Sequence, residues 1–94
     1  MNASVTLYTK DKQELSEFLS EYYSKKINLK NSTEWKSEYQ NPVELVEIVS
    51  TFIDNKEKYK STKMLVSIDL GVYINIEEKN YNSFIKYLFE RFPY

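Results

Sequence analysis

The alternation of apolar and polar residues over positions 64–76 is the feature that most constrains how this chain folds. Every even position in this stretch is apolar, from Met64 to Ile76. Such alternation places the apolar side chains on one face of a β-strand. The stretch is much longer than the ~5–6 residues of a typical strand, so the alternation must continue through a turn. The pattern therefore predicts a β-hairpin with one apolar face.

The parity of the side chains predicts the length of that turn. A two-residue turn at 70–71 would pair Ile68 with Tyr73 and so mix the two faces. A three-residue turn at 69–71 keeps the apolar residues together. It pairs Ile68 with Val72, Val66 with Ile74 and Met64 with Ile76. The only glycine of the chain, Gly71, then ends the turn, where a left-handed backbone favours glycine, so we expect a positive φ there.

Hydrophobic periodicity predicts one further strand and three helices. Residues 3–9 alternate strictly, which is typical of a half-buried strand. The first helix follows Asp11, which has Glu14 three positions later and so predicts a capping box. Glu21 and Lys25, four residues apart on the first helix, are spaced for an ion pair.

The second and third helices each have an asparagine at the expected start. Asn41 followed by Pro42 is a typical helix beginning, and the second helix is expected to end between Asn55 and Tyr59. The third helix is expected to run from Asn80 to Phe92. The segment 27–40 is less regular. A short strand around 34–39 or a loop that wraps the core both fit it.

These elements predict a single α+β domain over residues 1–94. The order is β-α-(β)-α-β-β-α, with the strand in parentheses being the one around 34–39. Each strand has one apolar and one polar side, which is typical of a sheet covered on one face only. We therefore expect a two-layer sandwich in which three helices pack on one face of a three- or four-stranded mixed sheet.

The composition excludes several classes of site. The chain has no cysteine and no histidine, which removes disulfides, cysteine nucleophiles and the common zinc ligands. One glycine is too few for a phosphate-binding loop or a dinucleotide-binding motif. The net charge is −1, and Arg91 is the only arginine, so the broad basic surface of a nucleic-acid-binding domain is missing. We expect no enzyme activity, no metal and no cofactor.

The polar side of the sheet is the first candidate site. If the strand at 3–9 lies beside the hairpin, this side presents Tyr8, Tyr73 and Asn75 among hydroxyl side chains. Tyrosine is enriched in protein interfaces because it combines a large contact area with a polar tip. Trp35 and Tyr39 are further candidates for contact with a partner, although a position over the core is the favoured explanation for Trp35.

The expected function is that of a non-enzymatic protein-binding module. It would act as an adaptor or as a stoichiometric inhibitor of the immunity type, with another protein or a second copy as partner. One alternative is a nucleic-acid-binding domain that adds a lysine-rich segment to the polar side of the sheet. That segment contains Lys56, Lys58, Lys60 and Lys63, although acidic residues interrupt it.

A second alternative is a small ligand-binding domain or enzyme that uses carboxylate, lysine or tyrosine chemistry. It would need carboxylates that converge in a pocket. The chain has no apolar run long enough to span a membrane and does not begin with the pattern of a signal peptide. We therefore expect a cytoplasmic protein without a membrane partner.

Overall fold

A computed structural model of the chain describes residues 2–27, 29, 33–69 and 71–91. Its elements in chain order are β1 (Ala3–Thr9), α1 (Lys12–Tyr23), β2 (Glu34–Tyr39), α2 (Pro42–Asp54), β3 (Thr62–Ile68), β4 (Val72–Ile76), a short 3-10 helix (Glu78–Asn80) and α3 (Tyr81–Arg91). The fold class is α+β, as predicted, and a strand does lie at 34–39. Residue 92, the predicted end of the last helix, is outside the described residues.

The four strands form one open sheet in the order β2-β1-β3-β4. Each pair of neighbouring strands is antiparallel, so the prediction of a mixed sheet is wrong. The reason is the position of β1. The strands β2 and β3 run in the same direction, as a strand-helix-strand connection suggests, but β1 lies between them and is antiparallel to both. No parallel contact results.

The chain returns to the end of β1 before it enters β2. The backbone N–H of Thr9 donates to the carbonyl of Thr33 at 3.0 Å. Glu34 lies opposite Tyr8, and Tyr39 lies opposite Ala3 at the other end of the strand pair. Because the connection after α1 runs back to the end of β1 before β2 begins, β2 is antiparallel to β1.

The hairpin has the predicted register. Ile68 lies opposite Val72, Val66 opposite Ile74 and Met64 opposite Ile76. Gly71 has a φ of 84°, which confirms the left-handed end of the turn. Asp69 also has a positive φ, of 50°, which the sequence pattern did not predict. Leu70, the middle residue of the turn, is outside the described residues.

One hydrophobic core holds the strands and helices together. It contains the apolar side of β1 and β3, including Val5, Leu7 and Val66, all fully buried. The helices contribute buried side chains to the same core, among them Phe18 of α1, Phe52 of α2 and Phe84 of α3. The rings of Phe18 and Phe52 meet edge to face, with their centroids 5.7 Å apart.

All three helices begin where predicted, directly after Asp11, Asn41 and Asn80, and the first two of these residues act as side-chain caps. The side chain of Asp11 accepts from the backbone N–H of Gln13 and Glu14, and that of Asn41 accepts from Val43 at 2.8 Å. Glu14 does not complete a capping box, because its carboxylate binds the start of β3 instead. Asn80 ends the 3-10 helix, and its side-chain oxygen accepts from the backbone N–H of Glu77 at 2.8 Å.

Candidate protein-binding face

The sheet has a polar side that follows from the strand registers. We call it the polar face. It consists of three rows, each read in the strand order β2, β1, β3, β4. The first row is Glu38, Ser4, Ser67 and Tyr73, and the second is Lys36, Thr6, Leu65 and Asn75. The third row has residues on the first three strands only, Glu34, Tyr8 and Lys63. Residues directly opposite each other in an antiparallel pair have their side chains on the same side of the sheet, so each row forms a line across it.

Two exposed tyrosines stand out on the polar face. Tyr8 is 42% exposed and Tyr73 is 68% exposed. They lie two strands and two rows apart, which separates their Cα atoms by about 17 Å. Thr6, which is buried, and the half-buried Leu65 and Ser67 lie between them. The two tyrosines therefore lie at opposite ends of the polar face, with smaller or less exposed side chains between them.

The charges on the polar face balance. Glu34 and Glu38 are exposed on β2, and so are Lys36 between them and Lys63 on β3. A face with equal numbers of exposed anions and cations does not attract a strongly charged ligand over a distance. The face offers aromatic rings and the hydrogen-bonding groups of its serine and asparagine side chains.

A shallow depression of about 440 Å³ lies at one end of the polar face. Ser4, Ser67, Glu38 and Asp69 are among its lining residues. The carboxylate of Asp69 also accepts from the backbone N–H of Asn2 at 3.1 Å. The charged groups among these four are both carboxylates, so the depression suits a hydrogen-bond donor such as an amide or a lysine of a partner.

Trp35 and Tyr39 lie on the other side of β2. Tyr39 is only 7% exposed, and its hydroxyl makes a 2.9 Å hydrogen bond with that of Tyr23. Burial is the main cause that raises the pKa of Tyr39 above its ordinary value. Trp35 is half-buried, with its ring centroid 5.9 Å from that of Tyr23. These two candidates are thus separated from the polar face, because they lie opposite Leu7 and Ala3 on the core side of β1.

The four candidate lysines do not form a common cationic surface. Lys58 binds Glu21 at 3.1 Å and Lys60 lies 3.7 Å from Glu57. Lys63 belongs to β3 and lies opposite Tyr8 on the polar face. Lys79 lowers the pKa of Glu77 most, through an ion pair at 3.1 Å, and Lys56 and Lys63 lower it further. Carboxylates are therefore interspersed among these cations.

The sequence pattern missed the contact between α1 and the segment before β3. The ring of Tyr59 is fully buried, and its hydroxyl donates to the carboxylate of Glu21 at 2.5 Å. This bond lowers the pKa of Glu21, and the neighbouring Lys58 lowers it further. Burial raises the pKa of Tyr59. The predicted pairing of Glu21 with Lys25 is replaced by partners far away in the chain, which no local spacing indicates.

The carboxylates of the described residues do not come together as a metal site. No group of three or more acidic side chains among them is placed to hold a metal ion. Asp69 lies in the hairpin turn and Glu77 follows the far end of β4, so the two do not converge. In the same part of the chain, no helix is long and apolar enough to cross a membrane.

Comparisons with known proteins return no match. No family model matches the chain, and neither a curated protein nor a solved structure matches it.

Proposed function

We propose that the chain is a non-enzymatic protein-binding module whose interface is the polar face. The helices pack on one side of the sheet and leave this face open to a partner. The observation that carries the proposal is the exposure of Tyr8 and Tyr73 on the same face. An adaptor or a stoichiometric inhibitor of the immunity type needs such a surface and no catalytic residues.

The two tyrosines supply the contact area of the interface. Tyrosine is among the residues most often found at the energetic centre of protein interfaces, because a large rigid ring carries a hydrogen-bonding hydroxyl. Ser4 and Ser67, both half-buried, add hydroxyl groups on rigid strands in the same row as Tyr73. We expect each ring to rest on an apolar patch of the partner while its hydroxyl stays at the wet rim.

The size of the polar face limits what it can bind. Four strands by five residues cover roughly 19 by 17 Å, or about 320 Å² of flat surface. A standard interface buries about 800 Å² on each partner. The polar face is therefore the centre of an interface, and its surroundings, including the depression beside Glu38 and Asp69, complete it. A donor group of the partner fits that depression.

Affinity enrichment from the natural host extract tests the proposal. Wild-type chain and the Tyr73→Ala and Tyr8→Ala variants are used as baits, and the bound proteins are quantified by mass spectrometry. The matched control is Phe89→Ala, which removes an aromatic ring that is 57% exposed on α3.

We expect a specific partner that both tyrosine variants lose at least about tenfold, as the loss of one interface anchor implies. The Phe89→Ala variant should retain it. Equal recovery by all four baits, or recovery of background only, contradicts the proposal.

A further inference from the structure

The two edge strands of the sheet differ in charge. The polar-face residues of β2 are Glu34, Lys36 and Glu38, all exposed. Charged side chains along an edge strand oppose its pairing with another chain. The other edge strand, β4, has the sequence VYINI and carries no charge at all. Val72 and Tyr73 on it are exposed, at 40% and 68%.

The side chain of Asn80 shows which backbone groups of β4 point away from β3. Its amide nitrogen donates to the carbonyl of Asn75, and its oxygen accepts from the N–H of Glu77. In an antiparallel strand, the N–H and the C=O of one residue point to the same edge, and successive residues alternate. The N–H and C=O groups of Tyr73 and Asn75 therefore point to the free edge of the sheet.

We propose that β4 pairs with β4 of a second copy of this chain, antiparallel and centred on Ile74. This register sets Tyr73 of each copy opposite Asn75 of the other, where the outward N–H and C=O groups meet. The carbonyl of Asn75, which already accepts from the side chain of Asn80, would accept the second hydrogen bond through its other lone pair. It also sets Val72 opposite Ile76. All five residues keep their faces, because each pair joins two polar-face residues or two core-side residues.

The choice of a second copy follows from the strand itself. The sequence of β4 is self-complementary about Ile74, since an apolar residue meets an apolar one and Tyr73 meets Asn75. If β2 paired in the same antiparallel way with β2 of a second copy, centred on Lys36, Glu34 would lie opposite Glu38 of the other copy and the two copies of Lys36 opposite each other. Like charges opposite each other are destabilising. The two sheets thus join at β4 into one sheet of eight strands.

The proposed dimer also extends the polar face. With β4 at the centre, the two polar faces become continuous, and both copies of Tyr73 lie near the twofold axis. The exposed Val72 of each copy is covered by the other strand. Because only five residues pair on each side, we expect an interface of the small, reversible class. This inference stands independently of the proposed function, because its test uses the chain alone.

Sedimentation equilibrium from about 10 µM to 1 mM measures the dimer directly, since this range covers weak association. Two double variants test the register. Tyr73→Lys with Asn75→Lys sets like charges opposite each other across the axis, and Tyr73→Lys with Asn75→Glu sets opposite charges there. Circular dichroism and urea unfolding confirm that both variants, which change exposed side chains only, remain folded.

We expect the wild type to dimerise within this range and the variant with two lysines to associate at least about fivefold more weakly. The variant with lysine and glutamate should recover the wild-type association to within about twofold. A chain that is monomeric throughout overturns the proposal. So does a dimer that neither variant weakens, or one that both variants weaken equally.

Discussion

Gly71 and Asp69 show how two residues of the hairpin turn meet the same conformational demand differently. Both have a positive φ, which is costly for most residues because the Cβ atom approaches the backbone. Glycine has no Cβ, and aspartate tolerates the left-handed region better than most. Asp69 is also held in place by Asn2, which accepts from its N–H at 2.7 Å and donates to its carboxylate.

Replacing Gly71 should destabilise the protein through its backbone and not through a clash. A Cβ added at this position would lie 3.6 Å from the nearest ring atom of Tyr73, which is an ordinary contact. We expect Gly71→Val to lower the free energy of unfolding by about 2 kcal/mol and Gly71→Asn by clearly less, because asparagine tolerates a positive φ. Urea unfolding measures both, and equal midpoints for the two variants would contradict this explanation.

Glu21 should make the stability of the protein depend on pH in the acid range. Its pKa in the folded protein is lowered below the ordinary value of 4.5 by Tyr59 and Lys58. Below pH 5 the unfolded chain therefore takes up protons more readily than the folded one, and stability falls as the pH falls through the folded pKa. Above pH 5 the stabilisation is fully present.

We expect Glu21→Gln to reduce this loss of stability between pH 7 and pH 3 without abolishing it, because the pKa of Glu77 is lowered too. Thermal unfolding at several pH values gives the slope of the midpoint temperature against pH. The isosteric control Glu17→Gln lies on the same helix and should leave the slope unchanged. A Glu21→Gln slope equal to that of the wild type would refute the assignment.

At the scale of elements, side chains of α1 bind the connection between α2 and β3, residues 55–61. Glu14 accepts from the backbone N–H of Ser61 at 2.9 Å and from the hydroxyl of Thr62 at 3.0 Å. Glu21 holds Lys58 and Tyr59 two turns further along. Residues seven apart lie on the same side of a helix, so one side of α1 binds the whole connection. The N-terminal anchor of α1 itself is the cap at Asp11.

Removing the side chain of Glu14 should lower the free energy of unfolding by more than its half-exposed position suggests. Glu14→Ala removes the acceptor of the backbone N–H of Ser61 and the carboxylate partner of the Thr62 hydroxyl, which keeps only Oγ1 of Thr9 at 3.2 Å. Hydrogen bonds to a charged group are the stronger ones, so we expect a loss of about 1–2 kcal/mol in the free energy of unfolding. The control Glu17→Ala removes only a side-chain hydrogen bond to Gln13 and should stay within about 0.5 kcal/mol of the wild type. Urea unfolding of both variants decides the matter, and similar losses in the two would show that the connection does not depend on Glu14.

At the scale of the whole molecule, the strand order decides which parts open first. The strands β1 and β3 are central and have a neighbouring strand on both sides over most of their length, whereas β2 and β4 are the edge strands. Residues of β1 and β3 such as Val5 and Val66 are also fully buried. Local opening is easiest where fewer buried contacts and paired backbone groups must be broken.

Amide hydrogen exchange should therefore follow the strand order. At a concentration of about 10 µM, where a weak dimer is dissociated, we expect the amides of β1 and β3 to exchange most slowly and those of β2 and β4 earlier. NMR-detected exchange measures each amide. Protection of β4 equal to that of β1 at this concentration would contradict the strand order.

The local sequence determined the hairpin and two of the three helix caps. Parity requires a turn with an odd number of residues, because a two- or four-residue turn mixes the two faces, and the single glycine at Gly71 then selects the three-residue turn between Ile68 and Val72. Asp11 and Asn41 act as caps because the groups they bind lie two or three residues away. The common face of Tyr8 and Tyr73 followed from the same parity once β1 was placed beside the hairpin.

Only the tertiary structure decided the contacts between residues distant in the chain. The strand order makes the sheet wholly antiparallel, and the register of β2 against β1 takes Trp35 and Tyr39 to the core side. Glu14 and Glu21 find partners more than thirty residues away, where no periodicity connects them. The physical reason is that local patterns depend on backbone geometry over a few residues, whereas these contacts depend on how whole elements pack to bury apolar surface.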